Sequence, residues 1–144
     1  TQNIDDLHER AGATHVLHLH GEIFKMRSET NESLVYAIKH DIKIGDRAED
    51  GAQLRPHIVW FEEPVPEIEH AISIVRTADI FVVVGTSLLV YPAAGLLNYA
   101  AWEIPKFIID KRIPYTSSVH NMTTIEKTAT EGVKELTGIL NEYK

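Results

Sequence analysis

Five successive apolar residues, Ile80-Phe81-Val82-Val83-Val84, end on Gly85 and restrict the fold of this chain more than any other feature. A continuous run rich in β-branched residues is typical of a parallel strand that is covered on both faces. A second short run, Phe107-Ile108-Ile109, ends on Asp110 and has the same character. These two runs predict neighbouring strands of a buried parallel sheet.

Helical periodicity alternates with these strands along the chain. Residues 67–77 carry apolar side chains at three- and four-residue spacing, residues 92–102 are small and apolar with proline at the start, and residues 130–143 resemble a terminal helix. Further strands are predicted at residues 16–21 and 58–61. Alternation of this kind predicts an α/β fold with a Rossmann-like parallel sheet and helices on both faces.

The stretch from residue 25 to residue 54 interrupts this rhythm. It is polar, and within it Leu34-Val35-Tyr36 and Ile42-Lys43-Ile44 have the character of strands. We interpret it as a small insertion or subdomain within a single domain that covers residues 1–144. The chain opens on Thr1-Gln2-Asn3, in the middle of a motif, and we expect it to be the later part of a longer domain.

Charge and cysteine content exclude several classes of function. The formal net charge is −7, which argues against a general nucleic-acid or anionic-membrane surface and is compatible with basic partners or with solubility alone. The absence of cysteine excludes disulfides, a thiolate nucleophile and thiolate zinc ligands. It is compatible with a reducing compartment, and we expect a cytoplasmic protein. The longest apolar run is too short to span a membrane.

Polar residues follow both predicted parallel strands, where ligands gather in sheets of this kind. Gly85, Thr86 and Ser87 can approach and bind ribose or phosphate oxygens, although a simple strand-to-helix turn with a hydroxyl cap fits them equally. Asp110 can accept hydrogen bonds from a ribose diol, or begin an exposed turn. The phosphate-binding pattern G-x-G-x-x-G is not present in the chain.

Two histidines and a polar cluster could also carry chemistry. His18 and His20 alternate on one predicted strand, but acids at ligand spacing are not evident, so no metal site is predicted. His20 stands before Gly21 and is a candidate general base, with a structural histidine as the alternative. The cluster Thr1-Gln2-Asn3-Ile4-Asp5 could cap a helix through Asn3 or Asp5, or could recognise a carboxamide.

Three stretches taken together resemble the sirtuin family. The segment Thr1-Gln2-Asn3-Ile4-Asp5-Asp6-Leu7-His8-Glu9-Arg10-Ala11-Gly12 with His20-Gly21 is similar to the sirtuin signature. The segment Arg55-Pro56-His57-Ile58-Val59-Trp60-Phe61 with Glu63-Pro64 resembles its substrate-binding strand. The segment Gly85-Thr86-Ser87-Leu88-Leu89-Val90-Tyr91-Pro92-Ala93 resembles its cofactor loop. Most of residues 1–24, 55–66 and 78–110 are covered, in the same order.

The resemblance implies NAD-dependent removal of acyl groups, acetyl above all, from protein lysine side chains, giving nicotinamide and acyl-ADP-ribose. It implies three catalytic residues: His20 as general base, with Asn3 and Asp5 near the nicotinamide. The resemblance also implies a cofactor site formed by Gln2, Asn3, Asp5, Gly85, Thr86, Ser87 and Asp110. It implies an acyl-lysine tunnel and a peptide-pairing edge formed by Val59, Trp60, Phe61 and Val90.

The chain departs from the family pattern in three places. Most sirtuins carry a four-cysteine zinc module where this chain has residues 22–54, so we expect packing of the apolar residues there to replace zinc. Glu62 stands where the family usually has glycine, and Asp110 stands where it has asparagine.

The alternatives to lysine deacylation are protein ADP-ribosyl transfer and a catalytically silent NAD- or peptide-binding module. The preferred acyl group and the oligomeric state are not determined by the sequence.

Overall fold

The computed structural model describes residues 1–38, 40–115 and 119–141, which form two compact units, Thr1–Ile68 and Glu69–Lys144. Within the described residues, the helices are all too short or too polar to cross a membrane. The first unit contains α1 (Leu7–Arg10), β1 (Gly21–Ser28), β2 (Val35–Ala37) and β3 (Leu54–Ile58). The second contains β4 (Phe81–Val84), a 3-10 helix (Ala93–Tyr99), β5 (Lys106–Asp110), β6 (Met122–Glu126) and α3 (Ala129–Leu140), and α2 (Ile68–Arg76) begins at the boundary.

The first unit is built on an antiparallel three-stranded sheet in the order β2-β1-β3. The prediction of a strand at residues 16–21 was wrong, because the strand begins only at Gly21. Residues before it bond instead with the first residue of the chain: the Thr1 ammonium group donates to the Leu17 carbonyl at 2.7 Å, and the Leu19 amide donates to the Thr1 carbonyl at 3.0 Å. Two bonds to a single residue do not make a ladder.

The third strand also differs from its prediction. A strand was expected at residues 58–61, but β3 covers Leu54–Ile58 and ends where the prediction began. Beyond it the chain turns, with Glu62 at a φ of 72°. The Trp60 amide donates to the Glu63 carboxylate at 2.9 Å rather than to a neighbouring strand. A side-chain acceptor therefore ends the ladder, and apolar periodicity does not reveal such an acceptor.

Polar side chains hold the stretch between β1 and β3. Ser28 is fully buried and donates to the Asp50 carboxylate at 2.6 Å, and the amides of Thr30 and Asn31 both donate to the Ser28 hydroxyl at 3.2 Å. Ile44, which was expected to pack here, is fully exposed, and residues 42–44 form no strand. The stretch between β1 and β3 is thus held by hydrogen bonds to a buried hydroxyl and a carboxylate, where we expected apolar packing to hold it.

The second unit confirms the predicted α/β class. Its three-stranded sheet is parallel, in the order β4-β5-β6, and β5 is its central strand. Phe107, Ile108 and Ile109 on β5 are at most 1% exposed, as expected of a strand that is covered on both faces. Ile125 on β6 and Leu136 on α3 pack into the same core. The prediction missed β6, because its sequence alternates polar and apolar residues too weakly.

The helices follow their predicted positions more closely than the strands do. The periodicity at residues 67–77 appears as α2, which buries Ala71, Ile72 and Val75. The helix predicted at 92–102 is instead the shorter 3-10 helix, entered by a bond from the Gly95 amide to the Pro92 carbonyl three residues before it. The terminal helix, predicted for 130–143, is present as α3, and position 143 lies outside the described residues.

Candidate functional site

His20 lies at the entry to β1, where backbone geometry requires a glycine. Gly21 has a φ of +80°, and a Cβ atom there would lie 2.1 Å from the His57 carbonyl oxygen. The His20 ring Nδ1 is 3.1 Å from the Gln2 carbonyl oxygen. A carbonyl can only accept a hydrogen bond, so Nδ1 carries the proton and Nε2 of the neutral ring keeps its lone pair. This is the tautomer that a general base requires.

The polar cluster at residues 1–5 lies against this histidine. The Gln2 carbonyl holds the His20 ring, and the Ile4 carbonyl accepts from the Ile23 amide on β1 at 2.8 Å. The Asn3 side chain is exposed. The Asp5 carboxylate accepts from the Leu7 amide two residues later at 3.1 Å. The helix-capping interpretation was wrong, because the N-cap residue of α1 is Asp6 and none of the described side chains caps this helix. The structure thus joins the cluster to His20.

The segment after β3 is also tied to His20 through the backbone. The Val59 amide donates to the His20 carbonyl at 3.0 Å. Val59 is half-buried, whereas Trp60 and Phe61 are 53% and 91% exposed. These two large apolar side chains are exposed on a segment that follows the end of β3, so a partner chain can contact them.

The Glu63 carboxylate, which belongs to the second motif but was not predicted as a site residue, anchors this segment. Arg55 donates to both oxygens of Glu63 at 2.6 and 2.9 Å, and the second of these oxygens also accepts from the Trp60 amide. The hydrogen bonds from Arg55, helped by the Trp60 amide and by the charges of Arg55 and Arg27, lower the pKa of Glu63 to about 2. The intervening Glu62, at a position where the resemblance predicts glycine, is held in the left-handed region with a φ of 72°.

A pocket opens beside these residues within the first unit. Its polar walls include the buried Arg27, which is ion-paired with Glu32, and His57. Burial and the neighbouring charge of Arg27 lower the pKa of His57, so this ring is neutral near pH 7. Its Nδ1 atom is buried and makes no hydrogen bond with the described residues. The remaining lining residues are His18, Leu19, Gly21, Ile58, Val59, Pro64, Pro66 and Glu67.

The second unit brings its own predicted residues to one edge of the parallel sheet. The Gly85 amide donates to the Ile109 carbonyl at 2.9 Å, so Gly85 lies beside the end of β5, where Asp110 follows. Thr86 accepts from the Leu88 amide through its hydroxyl at 3.3 Å, and Asp110 accepts from the Arg112 amide at 2.9 Å. Ser87 and Val90 are exposed.

The described residues contain no group of three or more histidine, aspartate or glutamate side chains that could hold a metal ion. His18 and His20, the pair considered for a metal, point their Nδ1 atoms at the carbonyls of Asn3 and Gln2 instead. Both rings are therefore oriented by backbone acceptors.

Comparison with known proteins identifies a family. The Sir2 family model matches residues 1–92. An NAD-dependent protein deacylase of Bacteroides thetaiotaomicron is 49% identical, covering 97% of this chain and 62% of its own length. One from Helicobacter pylori is 45% identical, with coverage of 94% and 59%. A solved Sir2 homologue, a mutant in complex with ADP-ribose, aligns with a TM-score of 0.82 at 31% identity and covers 99% of this chain and 59% of its own.

Proposed function

The chain belongs to the Sir2 family, and we propose that it forms part of an NAD-dependent deacylase that removes acyl groups from protein lysine side chains. The observation that carries the proposal is the His20 ring, whose Nδ1–H is held by the Gln2 carbonyl so that Nε2 can accept a proton. The chain spans about three fifths of the length of the curated relatives it matches, 62% and 59% for the two compared above.

The donors and acceptors of both units fit NAD by their chemistry. A Cβ at Gly85, whose φ is +65°, would meet nothing within 4 Å, so there is open space above this backbone. The Asp110 carboxylate at the neighbouring strand end suits a ribose diol. The exposed carboxamide of Asn3 has the donor and the acceptor that a nicotinamide amide requires. The residues that would hold the cofactor are Gln2, Asn3, Asp5, Gly85, Thr86, Ser87 and Asp110.

His20 takes up one proton in the proposed reaction. When bound, NAD supplies the ribose to which the acyl group passes as nicotinamide leaves. The neutral ring would accept one proton at Nε2, and the Gln2 carbonyl would keep Nδ1–H in place while the ring becomes positively charged. General-base help of this kind is worth about 10²- to 10⁴-fold in rate.

The segment after β3 would hold the acylated lysine. Val59 is tied to His20 through its amide, so a lysine side chain bound along this segment lies close to the base. Trp60 and Phe61 offer apolar walls, while Arg55 and Glu63 keep the turn closed behind them. An extended peptide that pairs with the backbone here would be held by main-chain hydrogen bonds whatever its sequence, and pockets would select the lysine side chain. Val90 is a further candidate contact.

Mixing the protein with NAD and an acetyl-lysine peptide tests the proposal, with products followed by mass spectrometry. We expect acyl-ADP-ribose, nicotinamide and deacylated peptide. His20→Ala should lower the rate by about 10²-fold or more, whereas His15→Ala, an exposed histidine in the same unit, should leave it unchanged. Thermal unfolding of both variants checks that they fold.

Three results would contradict the proposal. ADP-ribosylated protein without peptide deacylation would indicate a transferase instead. Binding of NAD or peptide without any product would indicate a silent binding module. Full turnover by His20→Ala would remove His20 as the base even if the deacylase activity itself is observed.

A further inference from the structure

His18, two residues before the proposed base, is held between two acceptors. Its Nδ1 is 3.1 Å from the Asn3 carbonyl oxygen, and its Nε2 is 2.7 Å from a carboxylate oxygen of Glu9 on α1. The side chain is 8% exposed, so water has little access to it. A neutral imidazole has one donor and one acceptor nitrogen, whereas both of these partners only accept. The surroundings of His18 therefore suit the imidazolium ion, which donates from both nitrogens.

The charges around His18 act in the same direction. Burial is the largest single influence and lowers its pKa, but it is outweighed. The hydrogen bonds to Glu9 and to the Asn3 carbonyl, together with the negative charges of Glu9 and Glu22, leave the pKa of His18 raised. His18 consequently keeps its positive charge to higher pH than an ordinary histidine does.

The two histidines together fix one stretch of backbone. The carbonyls of Gln2 and Asn3 are consecutive, and each accepts from one imidazole, Gln2 from His20 and Asn3 from His18. His18 also reaches α1 through Glu9, so its ring joins the first residues of the chain, the segment before β1 and the helix. A shift of the Asn3 carbonyl would move the adjoining Gln2 carbonyl, which orients the base.

We propose that His18 is a positioning residue for the deacylation proposed above: as an imidazolium ion bridging Glu9 and the Asn3 carbonyl, it holds the Gln2–Asn3 backbone so that the His20 ring and the Asn3 carboxamide face the reacting groups. The inference rests on that proposed function. It gives the two histidines opposite protonation states at work. His20 must be neutral to accept a proton, and His18 must be charged to donate two hydrogen bonds.

The pH dependence of kcat/KM tests this division. Activity should fall at high pH as His18 loses its proton, because the neutral ring can no longer donate to both of its acceptors. Glu9→Gln keeps an oxygen that can accept from His18 but removes the charge, so this alkaline limb should move to lower pH. Glu29→Gln makes the same charge change at an exposed residue of the same unit and should leave the alkaline limb in place. An alkaline limb that stays in place in Glu9→Gln would overturn the proposal.

His18→Gln gives a second kinetic test. It can donate to one acceptor but cannot bridge both, so we expect kcat to fall by about 10- to 100-fold through misplacement of reacting groups. The KM for the peptide should change less than twofold, since the segment at Val59 is bonded to the His20 carbonyl rather than to His18. An unchanged kcat in a folded His18→Gln protein would contradict the positioning role.

Nuclear magnetic resonance separates failure of this inference from failure of the proposed function. In the wild-type protein, both ring N–H groups of His18 should be observed at neutral pH, and the amide signals of Gln2 and Asn3 should follow its titration. If the wild type has no turnover, the proposed function fails, and these signals decide the role of His18 alone. A singly protonated His18 ring at neutral pH would refute the positioning role of His18. Amide signals of Gln2 and Asn3 that do not change as His18 titrates would also refute it.

Discussion

Replacing Glu63 by glutamine should weaken the hydrogen bonds that hold the turn after β3, next to the proposed substrate segment. The wild-type carboxylate receives two hydrogen bonds from Arg55 and one from the Trp60 amide. Glutamine keeps the size of the side chain and one acceptor oxygen but loses the charge. Its NH₂ group would also face donors that need an acceptor. The loss is therefore that of a charge-assisted, bidentate pair together with an amide bond.

The magnitude follows from the pKa. A drop from 4.5 to about 2 corresponds to roughly 3 kcal/mol of preference for the ionised form, at about 1.4 kcal/mol for each pKa unit. The Glu63 and Arg55 side chains are 30% and 20% exposed, so solvent screens part of this energy. We expect Glu63→Gln to lower the free energy of unfolding by about 1 to 2 kcal/mol at pH 7.

The pH dependence has a definite sign. The folded-state pKa of Glu63 is depressed, so its contribution is fully present above the unfolded value near 4.5 and is lost as the pH falls through about 2. The difference in stability between wild type and Glu63→Gln should be constant from pH 7 to pH 5 and should shrink below that. At pH 2 most of it should be gone.

Urea unfolding followed by tryptophan fluorescence can measure this difference. Trp102 also fluoresces, so both proteins should carry Trp102→Phe, which leaves Trp60 as the reporter and retains an aromatic ring beside His120. Glu62→Gln is the matched control, because it makes the same charge change one residue away at an exposed position. Equal stability of the two variants at pH 7, or a Glu63→Gln deficit that persists undiminished at pH 2, would refute the reasoning.

Two further predictions concern packing and the polar stretch between β1 and β3. Gly132→Ala on α3 should lower the free energy of unfolding by about 1 to 3 kcal/mol, because its Cβ would lie 2.2 Å from an Ile109 methyl group. Gly138→Ala on the same helix would meet nothing within 4 Å and should raise the free energy of unfolding by about 0.5 to 1 kcal/mol. Thermal unfolding compares the pair, and equal shifts would contradict the packing argument. Asp50→Asn should destabilise the first unit at pH 7 by weakening the bond from buried Ser28. Since that bond lowers the pKa of Asp50, its benefit should fade as the pH falls through the folded value, which urea titrations at pH 7 and pH 3 would detect; a deficit of equal size at both would contradict it.

The sequence determined those parts of the fold that depend on local patterns. The runs at residues 80–84 and 107–109 became β4 and β5, as predicted. Only β5 is covered on both faces: Val82 and Val84 on β4 are 37% and 42% exposed, because β4 is an outer strand of its sheet within the described residues. The helices α2 and α3 kept their predicted positions because apolar residues at three- and four-residue spacing give each helix one buried face. Thr128 also caps α3 by accepting from the Glu131 amide. The motif order along the chain was also sufficient to indicate the family.

Only the tertiary structure decided where the first sheet begins and ends and how the candidate base is oriented. Those features depend on particular hydrogen bonds that an apolar pattern does not show. Trp60 with Glu63 is a local one, whereas His20 with Gln2, His18 with Glu9 and Ser28 with Asp50 join residues farther apart in the chain. A side chain that accepts a backbone amide can end a strand, and a carbonyl 18 positions away can select a tautomer, without changing any local pattern. His20 was identifiable as a candidate from the sequence, but its availability as a base follows from the partner of its other nitrogen.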